Sequence, residues 1–458
     1  MWYHTSEKGV IFVVKLSVDF NNICGKVRPL HSVGQPPVLG MNGQFIHYLT
    51  EANIPFSRLH DVGGMFGGGI FVDIPNIFRD FDADPENPES YEFAFTDKLV
   101  QQLVEGNVKP YFRLGVTIEN YTSIKRYHTV PPADYDKWAK VCEMIVRHYN
   151  EGWANGFKYG ITYWEIWNEP DSDIYNLDNN AMWYGSPETY YELYEKSSKH
   201  LKNCFGKTIK VGGYGSCGFY HILSCPEKFG MTGENRDVCD YVTDRYRGFI
   251  EFFLGFLQHI KKTGAPMDFF SWHSYGNVED TVLEAKYCQK ILDEYGYGDA
   301  EIHINEWNNA AELSKRGTSF ASANAAAMMI AIHNSSRTEI MCYYDARMSP
   351  SVYGGLFNPM THKPVCTYYS FMAFGELYRL GNCVKCECDG VYSMAATDKC
   401  GKNAVLLANT LEDTEIVTDL DSNFKAYLVD EENFLTQTCF DGKKINLKKN
   451  QVVLIKNY

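Results

Sequence analysis

Residues 161–171 read Ile-Thr-Tyr-Trp-Glu-Ile-Trp-Asn-Glu-Pro-Asp, a mostly apolar run that ends in polar side chains. A run that is apolar on both faces, or nearly so, is typical of a parallel strand buried on both sides. A helical pattern follows at Pro187–Cys204, and Pro187 suits a first helical turn because its φ is already fixed. The stretch therefore predicts one strand–helix unit with polar residues at the carboxyl end of the strand.

The same unit recurs between residues 27 and 380, where eight strand-like runs are each followed by a helical pattern. Eight consecutive units predict a closed (β/α)8 barrel of the TIM type, in the α/β class. The predicted strands are Val27–His31, Ile54–His60, Val108–Val116, Ile161–Asn168, Thr208–Tyr214, Met267–Tyr275, Glu301–Glu306 and Glu339–Asp345. The predicted helices are Gly43–Ala52, Thr96–Glu105, Asp134–Tyr149, Pro187–Cys204, Arg245–Lys262, Thr281–Tyr295, Ser319–Asn334 and Val365–Leu380.

The pattern changes after residue 380, where short alternating strands are separated by Asp, Asn and Gly turns. These strands predict a small antiparallel β domain of the sandwich type, and we expect the strand-like stretch Gly9–Phe20 to join it. The predicted domains are an N-terminal strand segment at 1–24, the barrel at 25–380 and the β domain at 381–458. Its predicted strands are Val391–Thr397, Ala404–Asn409, Glu415–Asp419, Phe424–Val429 and Val452–Lys456.

The formal net charge of −14 argues against nucleic acid or an anionic membrane surface as a partner, because either needs a basic surface. An anionic sugar remains compatible, since one local cation can outweigh the global field. No apolar run reaches the roughly 20 residues that span a bilayer. The aromatic content of 15% fits rings that stack on sugars, but the cores of large barrels use aromatic residues too.

The early apolar stretch Val10–Leu16 is interrupted by Lys15 and lacks a small-residue cleavage site. We therefore expect no secretory signal and a cytoplasmic protein. In that compartment the 14 cysteines are expected to be free thiols rather than disulfides.

Two local patterns could bind a metal or a phosphate. Cys383, Cys386 and Cys388, with Cys400 further on, contain one C-x-x-C step, but the second such step of a zinc site is missing. Alternating cysteines in a strand usually behave as small hydrophobic residues. The glycine-rich stretch Gly63–Gly69 lacks the Lys-Ser/Thr of a P-loop, which favours a flexible loop beside a site. We therefore predict no metal.

Five of the predicted strands end in polar side chains. Barrel enzymes place their reacting groups at the carboxyl ends of the strands, so these side chains are expected to share one rim. The polar ends are Ser57-Arg58-Leu59-His60-Asp61, Trp167-Asn168-Glu169-Pro170-Asp171, Trp272-His273-Ser274-Tyr275, Asn305-Glu306-Trp307-Asn308 and Tyr343-Tyr344-Asp345.

Glu169 and Glu306 end the fourth and seventh strands, which lie across the barrel mouth from each other. An isolated Glu at a strand end is more often a cap or an ion-pair residue than a catalyst. Two such residues on facing strands suit glycoside hydrolysis with retention, which needs carboxyls about 5–5.5 Å apart with different pKa values. By strand order, Arg58 and Tyr275 can hold Glu306 ionised, and Asn168 can bond a sugar 2-hydroxyl.

Asn168-Glu169-Pro170 after the fourth strand and Glu306 after the seventh resemble the clan of barrel glycosidases that use two glutamates. Within that clan the chain resembles glycoside hydrolase family 39, which holds β-xylosidases and α-L-iduronidases, over nearly its whole length. The other residues that carry this resemblance are Pro29-Leu30-His31, Gly34, Pro36, Arg58-Leu59-His60-Asp61 and Phe270–Tyr275, together with the trailing β domain.

The resemblance implies a role for each matching residue. Glu169 would be the general acid/base and Glu306 the nucleophile. Substrate contacts would come from Asn168 at the 2-hydroxyl, His273 and Tyr275 around the sugar being released, His60 and Asp61 at sugar hydroxyls, and Trp307 beside the nucleophile. Arg58 is a further candidate substrate contact, from its place in the strand order.

Other candidates have two interpretations. Trp164, Trp167 and Trp272 could be sugar platforms, although residues that precede a strand end more often pack the barrel. Asp345 could contact a sugar or pair with Arg347.

These inferences predict an exo-acting retaining glycoside hydrolase that works by double displacement on a plant-type or related oligosaccharide, without cofactor or metal. A β-xylosidase is the first hypothesis. An α-L-arabinofuranoside-releasing or α-L-iduronidase-like enzyme is the alternative, and a non-catalytic carbohydrate-binding barrel is a rival of another class. A uronate substrate would need a cation, for which Arg58, Lys125 and Arg126 are the candidates.

Long loops follow the second to fifth strands, at about 61–94, 116–133, 170–186 and 215–243. Such loops could wall the barrel mouth into a pocket for a chain end, which favours exo action. The same loops could instead form contacts between copies of the chain in a homo-oligomer.

Overall fold

The computed structural model describes residues 2–6, 9–38, 45–62, 71–118, 128–235, 240–309 and 312–458. The glycine-rich stretch Gly63–Gly69 and the two cations Lys125 and Arg126 lie outside these ranges. Within them, no helix combines the length and the apolar character that a bilayer crossing requires. The chain begins with strand β1 (Trp2–Ser6), which pairs antiparallel with the long strand β2 (Gly9–Lys26).

Eight parallel strands close into a barrel, which confirms the predicted fold class. Each strand pairs with the next along the chain, and the last pairs with the first. The strands are β3 (Ser32–Gly34), β4 (Phe56–Leu59), β5 (Lys109–Leu114), β6 (Tyr163–Ile166), β7 (Lys210–Ser216), β8 (Phe269–Ser274), β9 (Glu301–Trp307) and β10 (Thr338–Tyr343).

The first barrel strand begins at Ser32, and not at Val27 as predicted. Pro29 has no N–H to give to a neighbouring strand. The residues before it make other contacts: the Val27 N–H donates to the Gly381 carbonyl at 3.1 Å, and Arg28 donates to the Ser336 carbonyl at 2.9 Å. The apolar run at 27–31 is therefore buried without being a strand.

Helices surround the barrel, and two of them begin at the start signals that the sequence offers. The Asp134 carboxylate accepts bonds from the N–H groups of Asp136 and Lys137, and the fifth helix begins at Pro187. The helices are α1 (Ile46–Glu51), α2 (Ile74–Ile77), α3 (Ala94–Glu105), α4 (Tyr135–Asn150), α5 (Pro187–Phe205), α6 (Asp240–Thr263), α7 (Val278–Tyr295), α8 (Ser319–Ser335) and α9 (Cys366–Leu380). Short 3-10 turns lie at Pro88–Ser90, Trp153–Asn155, Tyr220–Ser224, Pro226–Phe229 and Leu313–Lys315.

The C-terminal strands form a second sheet that includes the N-terminal strand β2. The new strands are β11 (Asn382–Cys388), β12 (Tyr392–Thr397), β13 (Asn403–Asn409), β14 (Thr414–Val417), β15 (Lys425–Val429), β16 (Phe434–Thr438), β17 (Lys444–Leu447) and β18 (Gln451–Lys456). Their order is β16-β15-β18-β13-β12-β11-β2-β14-β17. The predicted pairing of the N-terminal stretch with this sheet is confirmed, whereas the domain boundaries stay a prediction. All pairs are antiparallel except β2 with β14.

Helices α8 and α9 join the two parts, because both also contact strands of the second sheet. Helix α8 is accordingly apolar around its whole circumference, with Ala323, Ala326 and Met329 fully buried. A helix that is covered on both sides needs no polar face.

The cysteines of β11 do not converge. Cys383 is buried in the apolar core shared with the barrel, whereas Cys388 is buried in the separate core of the second sheet, with Cys386 packed against it. Cys400 is exposed in a turn. The buried cysteines pack as small apolar residues.

Candidate active site

Glu169 and Glu306 meet over the mouth of the barrel. Glu169 follows the end of β6, and Glu306 lies near the end of β9. One carboxylate oxygen of each residue and Nδ1 of His273 all lie within 4.8 Å of one another. Two residues that are 137 positions apart in sequence, 306 − 169, are thus brought into one site by the closure of the barrel.

The backbone that carries Glu169 is unusual. Trp167 and Glu169 have φ values of +73° and +46°, and Asp61 has +48°. Such values are uncommon for residues other than glycine, cost roughly 1–3 kcal/mol each and cluster at functional sites. The N–H of Glu169 donates to the carbonyls of Tyr214 (3.1 Å) and Gly215 (3.0 Å), which fixes the turn against the end of β7.

Arg58, at the end of β4, links the residues beneath the site. Its Nη1 donates to Oε1 of Glu306 at 2.6 Å, and its Nη2 donates to Oδ1 of Asn168 at 2.6 Å. Its Nε donates to Oε2 of Glu165 at 2.8 Å. Only 1% of the Arg58 side chain is exposed. Burial works against its charge, but Glu165 and Glu306 outweigh it and raise the pKa of Arg58.

Glu306 receives several donors. Besides Arg58, the Tyr275 hydroxyl donates to its Oε2 at 2.8 Å. Its side chain is 7% exposed. Burial raises the pKa of Glu306, His273 and Arg58 oppose that shift, and the nearby charge of Glu169 adds to it.

Glu169 has fewer partners and is more open, with 17% of its side chain exposed. Its Oε1 lies 2.7 Å from Nδ1 of His273. Burial raises the pKa of Glu169, and the more distant charges of Arg245 and Arg58 only partly oppose the shift. Burial lowers the pKa of His273 to about 4, so this imidazole is neutral near pH 7.

The convergence of these groups requires glycine at position 215. A Cβ there would lie 3.0 Å from Nε2 of His273 and 3.1 Å from both Nη2 of Arg58 and Oδ1 of Asn168. Its φ of +59° also favours glycine. Any side chain at this position would push the polar groups of the site apart.

His60 and Asp61 lie on the other side of Glu306. Nε2 of His60 is 3.7 Å from Oε1 of Glu306 and 3.3 Å from Oδ1 of Asp61. Arg113 donates to Nδ1 of His60 at 3.1 Å, and the Tyr344 hydroxyl donates to Oδ2 of Asp61 at 2.8 Å. Burial and the neighbouring cations lower the pKa of His60 well below its usual range.

Two of the predicted substrate contacts are placed elsewhere. Trp307 is 0% exposed and packs on Tyr343 and Phe371, because successive residues of β9 alternate and Glu306 takes the inward position. Arg58 is buried and bonded on three sides, so it holds Glu306 and Asn168 rather than reaching a sugar. The same engagement removes Arg58 as the cation for a uronate.

The structure also shows what surrounds the tryptophans and Asp345, for which the sequence left two interpretations. Trp164 and Trp272 are fully buried in the barrel, and Trp167 is buried with its Nε1 donating to the Met182 carbonyl at 2.9 Å. Asp345 forms an ion pair with Arg347 at 3.0 Å.

Two groups around the site were not predicted from the sequence. Glu165 is buried inside the barrel and binds Arg58, Ser271 and Asn305. Its charge within an otherwise apolar strand was the available signal. Arg245, on α6, was missed because it lies on a helix and not at a strand end.

Two clusters in the described ranges have the spacing of metal ligands: Glu169 with His273 and Glu306, and Glu143 with His200 and Cys204. In the first, Arg58 already neutralises a carboxylate. In the second, Glu143 already pairs with Lys140 and Arg147. A metal would have to displace these protein cations.

A curated β-xylosidase of Geobacillus stearothermophilus is 23% identical over 274 residues, which make up 53% of this chain and 46% of that protein. The match thus spans about half the length of the curated relative.

Two solved structures have the same fold over nearly the whole chain. A glucosidase from Croceicoccus marinus has a TM-score of 0.75 and 19% identity, covering 97% of this chain and 98% of that one. A GH39 β-xylosidase from Caulobacter crescentus has a TM-score of 0.66 and 16% identity, covering 97% and 99%.

The family model described as glycosyl hydrolases family 39 matches residues 60–354, which include both glutamates and the residues around them. Because this match covers more than half of the sequence, the chain belongs to glycosyl hydrolases family 39.

Proposed function

We propose that this chain is a retaining, exo-acting glycoside hydrolase, with Glu306 as nucleophile and Glu169 as general acid/base. The observation that carries the proposal is the approach of the two carboxylates, whose oxygens lie within 4.8 Å of each other. Retaining glycosidases hold their carboxyls about 5–5.5 Å apart, whereas inverting enzymes need about 6.5–9.5 Å to admit a water. Family membership supports the reaction class.

The neighbours of each glutamate support the assignment of roles. Glu306 accepts from Arg58 at 2.6 Å and from Tyr275 at 2.8 Å, and both contacts favour its ionised form. Glu169 lies 2.7 Å from the neutral imidazole of His273, which also approaches Glu306 at 3.6 Å, and it lacks the two close donors of Glu306, so we assign the proton of the pair to Glu169. A nucleophile must be ionised and a proton donor protonated, and the two environments meet these needs.

The reaction then follows in two displacements. The ionised Glu306 forms a bond to the anomeric carbon while the bond to the leaving oxygen breaks and Glu169 gives its proton to that oxygen. In the second step Glu169 takes a proton from water as the water displaces Glu306, which releases the sugar and restores both carboxyls. Neither step needs a group beyond the chain and water.

Polar residues around the pair would hold the sugar. The Asn168 side chain gives its oxygen to Arg58, which leaves its Nδ2 to donate to the sugar 2-hydroxyl. His60 and Asp61 lie beside Glu306, but they are as buried as Arg58 and bonded within the protein, so they would shape the site around the nucleophile rather than contact the sugar. His273 orients Glu169, and Tyr275 orients Glu306.

A β-D-xyloside is the proposed substrate class, at a chain end of a plant-type oligosaccharide. It is supported by one relative and one solved structure whose names are β-xylosidase. An α-L-arabinofuranoside-releasing or α-L-iduronidase-like activity is the second candidate, and the glucosidase neighbour adds β-glucosides to the substrates that need testing.

A panel of aryl glycosides tests this function, with proton NMR of the first anomer released. We expect the largest kcat/KM with the aryl β-D-xyloside and release of the β anomer before mutarotation. Release of the α anomer would contradict retention, and absence of turnover across the panel would favour the carbohydrate-binding alternative.

A further inference from the structure

A cavity of about 480 Å3 opens beside Glu169 and is lined by loops that follow β6, β7, β8 and β10 and by α6. Glu169 lines this cavity and Glu306 does not. Given the proposed function, the proton donor stands on the side where the leaving group departs. The cavity therefore lies on the leaving-group side of the bond that is cleaved.

Arg245 is the one cation among the described residues that line the cavity. Its Nε donates to the Ser172 carbonyl at 2.6 Å, and its Nη2 lies 3.4 Å from the Ser172 hydroxyl. These contacts orient the guanidinium but do not neutralise it, since no carboxylate of the described residues forms an ion pair with it. Its Nη1 group has no hydrogen bond to the residues that the structure describes, so its donors can serve a ligand.

The walls of the cavity are aromatic. Tyr220 and Tyr246 lie 5.0 Å apart by ring centroids, and Tyr275 and Tyr353 also lie 5.0 Å apart. The Arg245 guanidinium stacks over Phe249 at 5.5 Å, which holds it flat against one wall. Rings on two walls with a charged fork between them fit a flat or ring-shaped group that carries an anion.

Asp173 also lines the cavity and opposes an anion there. Its side chain is buried, and its Oδ1 accepts the N–H groups of Tyr175 at 3.2 Å and Asn176 at 3.0 Å. These backbone donors offset part of its charge, whereas no carboxylate of the described residues forms an ion pair with Arg245.

We propose that this cavity is a leaving-group subsite for a ring that bears a carboxylate, which Arg245 binds through a charge-assisted hydrogen bond. The carboxylate could belong to a uronic acid unit of an acidic oligosaccharide or to an aromatic acid. Both present a carboxylate that the Nη1 group can bind through a charge-assisted hydrogen bond. The inference rests on the proposed function and adds a substrate class to it.

The test compares 4-carboxyphenyl and 4-carbamoylphenyl β-D-xylosides, which differ by one charge. We expect the ratio of their kcat/KM values to fall about tenfold in Arg245→Gln, the size of one charge-assisted bond, and to recover partly in Arg245→Lys. Differences in leaving-group reactivity cancel because the same pair is measured in every protein. Equal ratios in wild type and Arg245→Gln would overturn the proposal for aromatic acids.

A second pair of substrates distinguishes the sources of the carboxylate. Disaccharides with a xylosyl unit linked to glucuronic acid or to glucose are compared in the same way. A drop of the ratio with either pair supports the subsite and identifies its ligand as aromatic or as uronate. A constant ratio with both pairs overturns it.

Arg247→Gln is the matched control, because it removes the same charge from the same helix at an exposed position outside the cavity. The kcat/KM ratios of Arg247→Gln should match those of the wild type. An equal drop in Arg247→Gln would show that the loss of any positive charge from this helix lowers the ratio, without a contact in the cavity. Calorimetry with 4-hydroxybenzoate against 4-hydroxybenzamide keeps the subsite testable if the xylosides are not hydrolysed. Tighter binding of the acid to wild type than to Arg245→Gln is expected, and equal binding would contradict the proposal.

Discussion

At the scale of single residues, Glu169 and Glu306 have the same chemistry and different neighbours. Arg58 and Tyr275 both contact Glu306, whereas Glu169 contacts the neutral His273. Strand order predicted that Arg58 and Tyr275 would face Glu306, but the contact between His273 and Glu169 was not predicted. The difference between the two glutamates arises from side-chain packing between strands distant in sequence.

The pH dependence of activity tests this difference. Since the active form has Glu306 ionised and Glu169 protonated, kcat/KM should be bell-shaped. Because burial raises the pKa of Glu169, the loss of activity toward high pH should occur above the usual range of a glutamate. The Glu169→Ala variant should lose this basic limb when a substrate with an activated leaving group is used. A basic limb that stays unchanged in Glu169→Ala would contradict its role.

Tyr275→Phe tests the donor to Glu306. Loss of the hydroxyl should make ionised Glu306 less stable, lower kcat by roughly a hundredfold and move the acidic limb of the pH profile upward. Tyr392→Phe is the matched control, because its hydroxyl also donates to a carboxylate at 2.8 Å, that of Glu279, outside the site. Steady-state kinetics against pH measures both, and an unmoved acidic limb in Tyr275→Phe would contradict this role.

At the scale of elements, an ion pair inside the barrel connects β4 to β6. Arg58 and Glu165 are 2.7 Å apart and essentially unexposed. Glu165→Gln leaves the Arg58 charge with less compensation, so the free energy of unfolding should fall by about 3 kcal/mol. Urea denaturation measures the change.

Glu151→Gln provides the comparison for Glu165→Gln. Glu151 pairs with Arg147 on the surface of α4, where such pairs contribute about 0.3–0.5 kcal/mol. A Glu165→Gln variant that lost no more stability than this control would show that the barrel pair is unimportant for the fold.

Helix α7 carries a second buried carboxyl, Glu284, which accepts from the Ser274 hydroxyl at 2.8 Å at the end of β8. Burial raises the pKa of Glu284 to about 8 from the ordinary 4.5. The folded state therefore keeps a proton that the unfolded chain releases, and stability is lost as pH rises between these values.

Glu284→Gln should remove this dependence. Its free energy of unfolding relative to wild type should rise by about 1.4 kcal/mol for each pH unit from 5 to 8. Urea denaturation at several pH values measures it. A difference that is constant with pH would show that Glu284 is ionised in the fold.

Most barrel elements could be predicted from sequence because each has a strong local pattern, as at Tyr163–Ile166 and Pro187–Phe205. The first strand was misplaced because residues 27–31 form an apolar run like that of a buried strand. Contacts with helices and loops bury this run, and it does not join the barrel. Strand β16 was missed because it lacks a buried face, and β17 was missed because its alternation extends over only four residues.

At the scale of the whole molecule, strand β2 and the strands after the barrel form one sheet, in which β2 lies between β11 and β14. Removing residues 1–26 would leave two facing strand edges without their partner. We expect this truncation to lower the melting temperature by more than 10 °C, or to cause aggregation. Differential scanning calorimetry measures the change.

Removal of residues 1–6 is the matched truncation, because β1 pairs with β2 alone. It should leave the melting temperature almost unchanged. Equal losses from both truncations would show that β2 contributes little to the sheet.

The candidate site could be predicted in outline, with the two donors to Glu306, but not in its other supporting contacts. Strand-end counting found Glu169 and Glu306, whose approach depends only on barrel closure. It misplaced Trp307, since a one-residue step along β9 turns a side chain from the mouth to the core. It also missed Arg245, which reaches the site from a helix.

Azide rescue of Glu306→Ala tests whether Glu306 is the nucleophile. We expect this variant to lose nearly all turnover of an aryl β-D-xyloside, and azide to restore part of it by attack on the face that Glu306 has vacated. NMR should identify the product as the inverted α-xylosyl azide. An inverted azide product from Glu169→Ala instead would contradict the assigned roles of the two glutamates. Full activity of Glu306→Ala without azide would show that Glu306 is not the nucleophile.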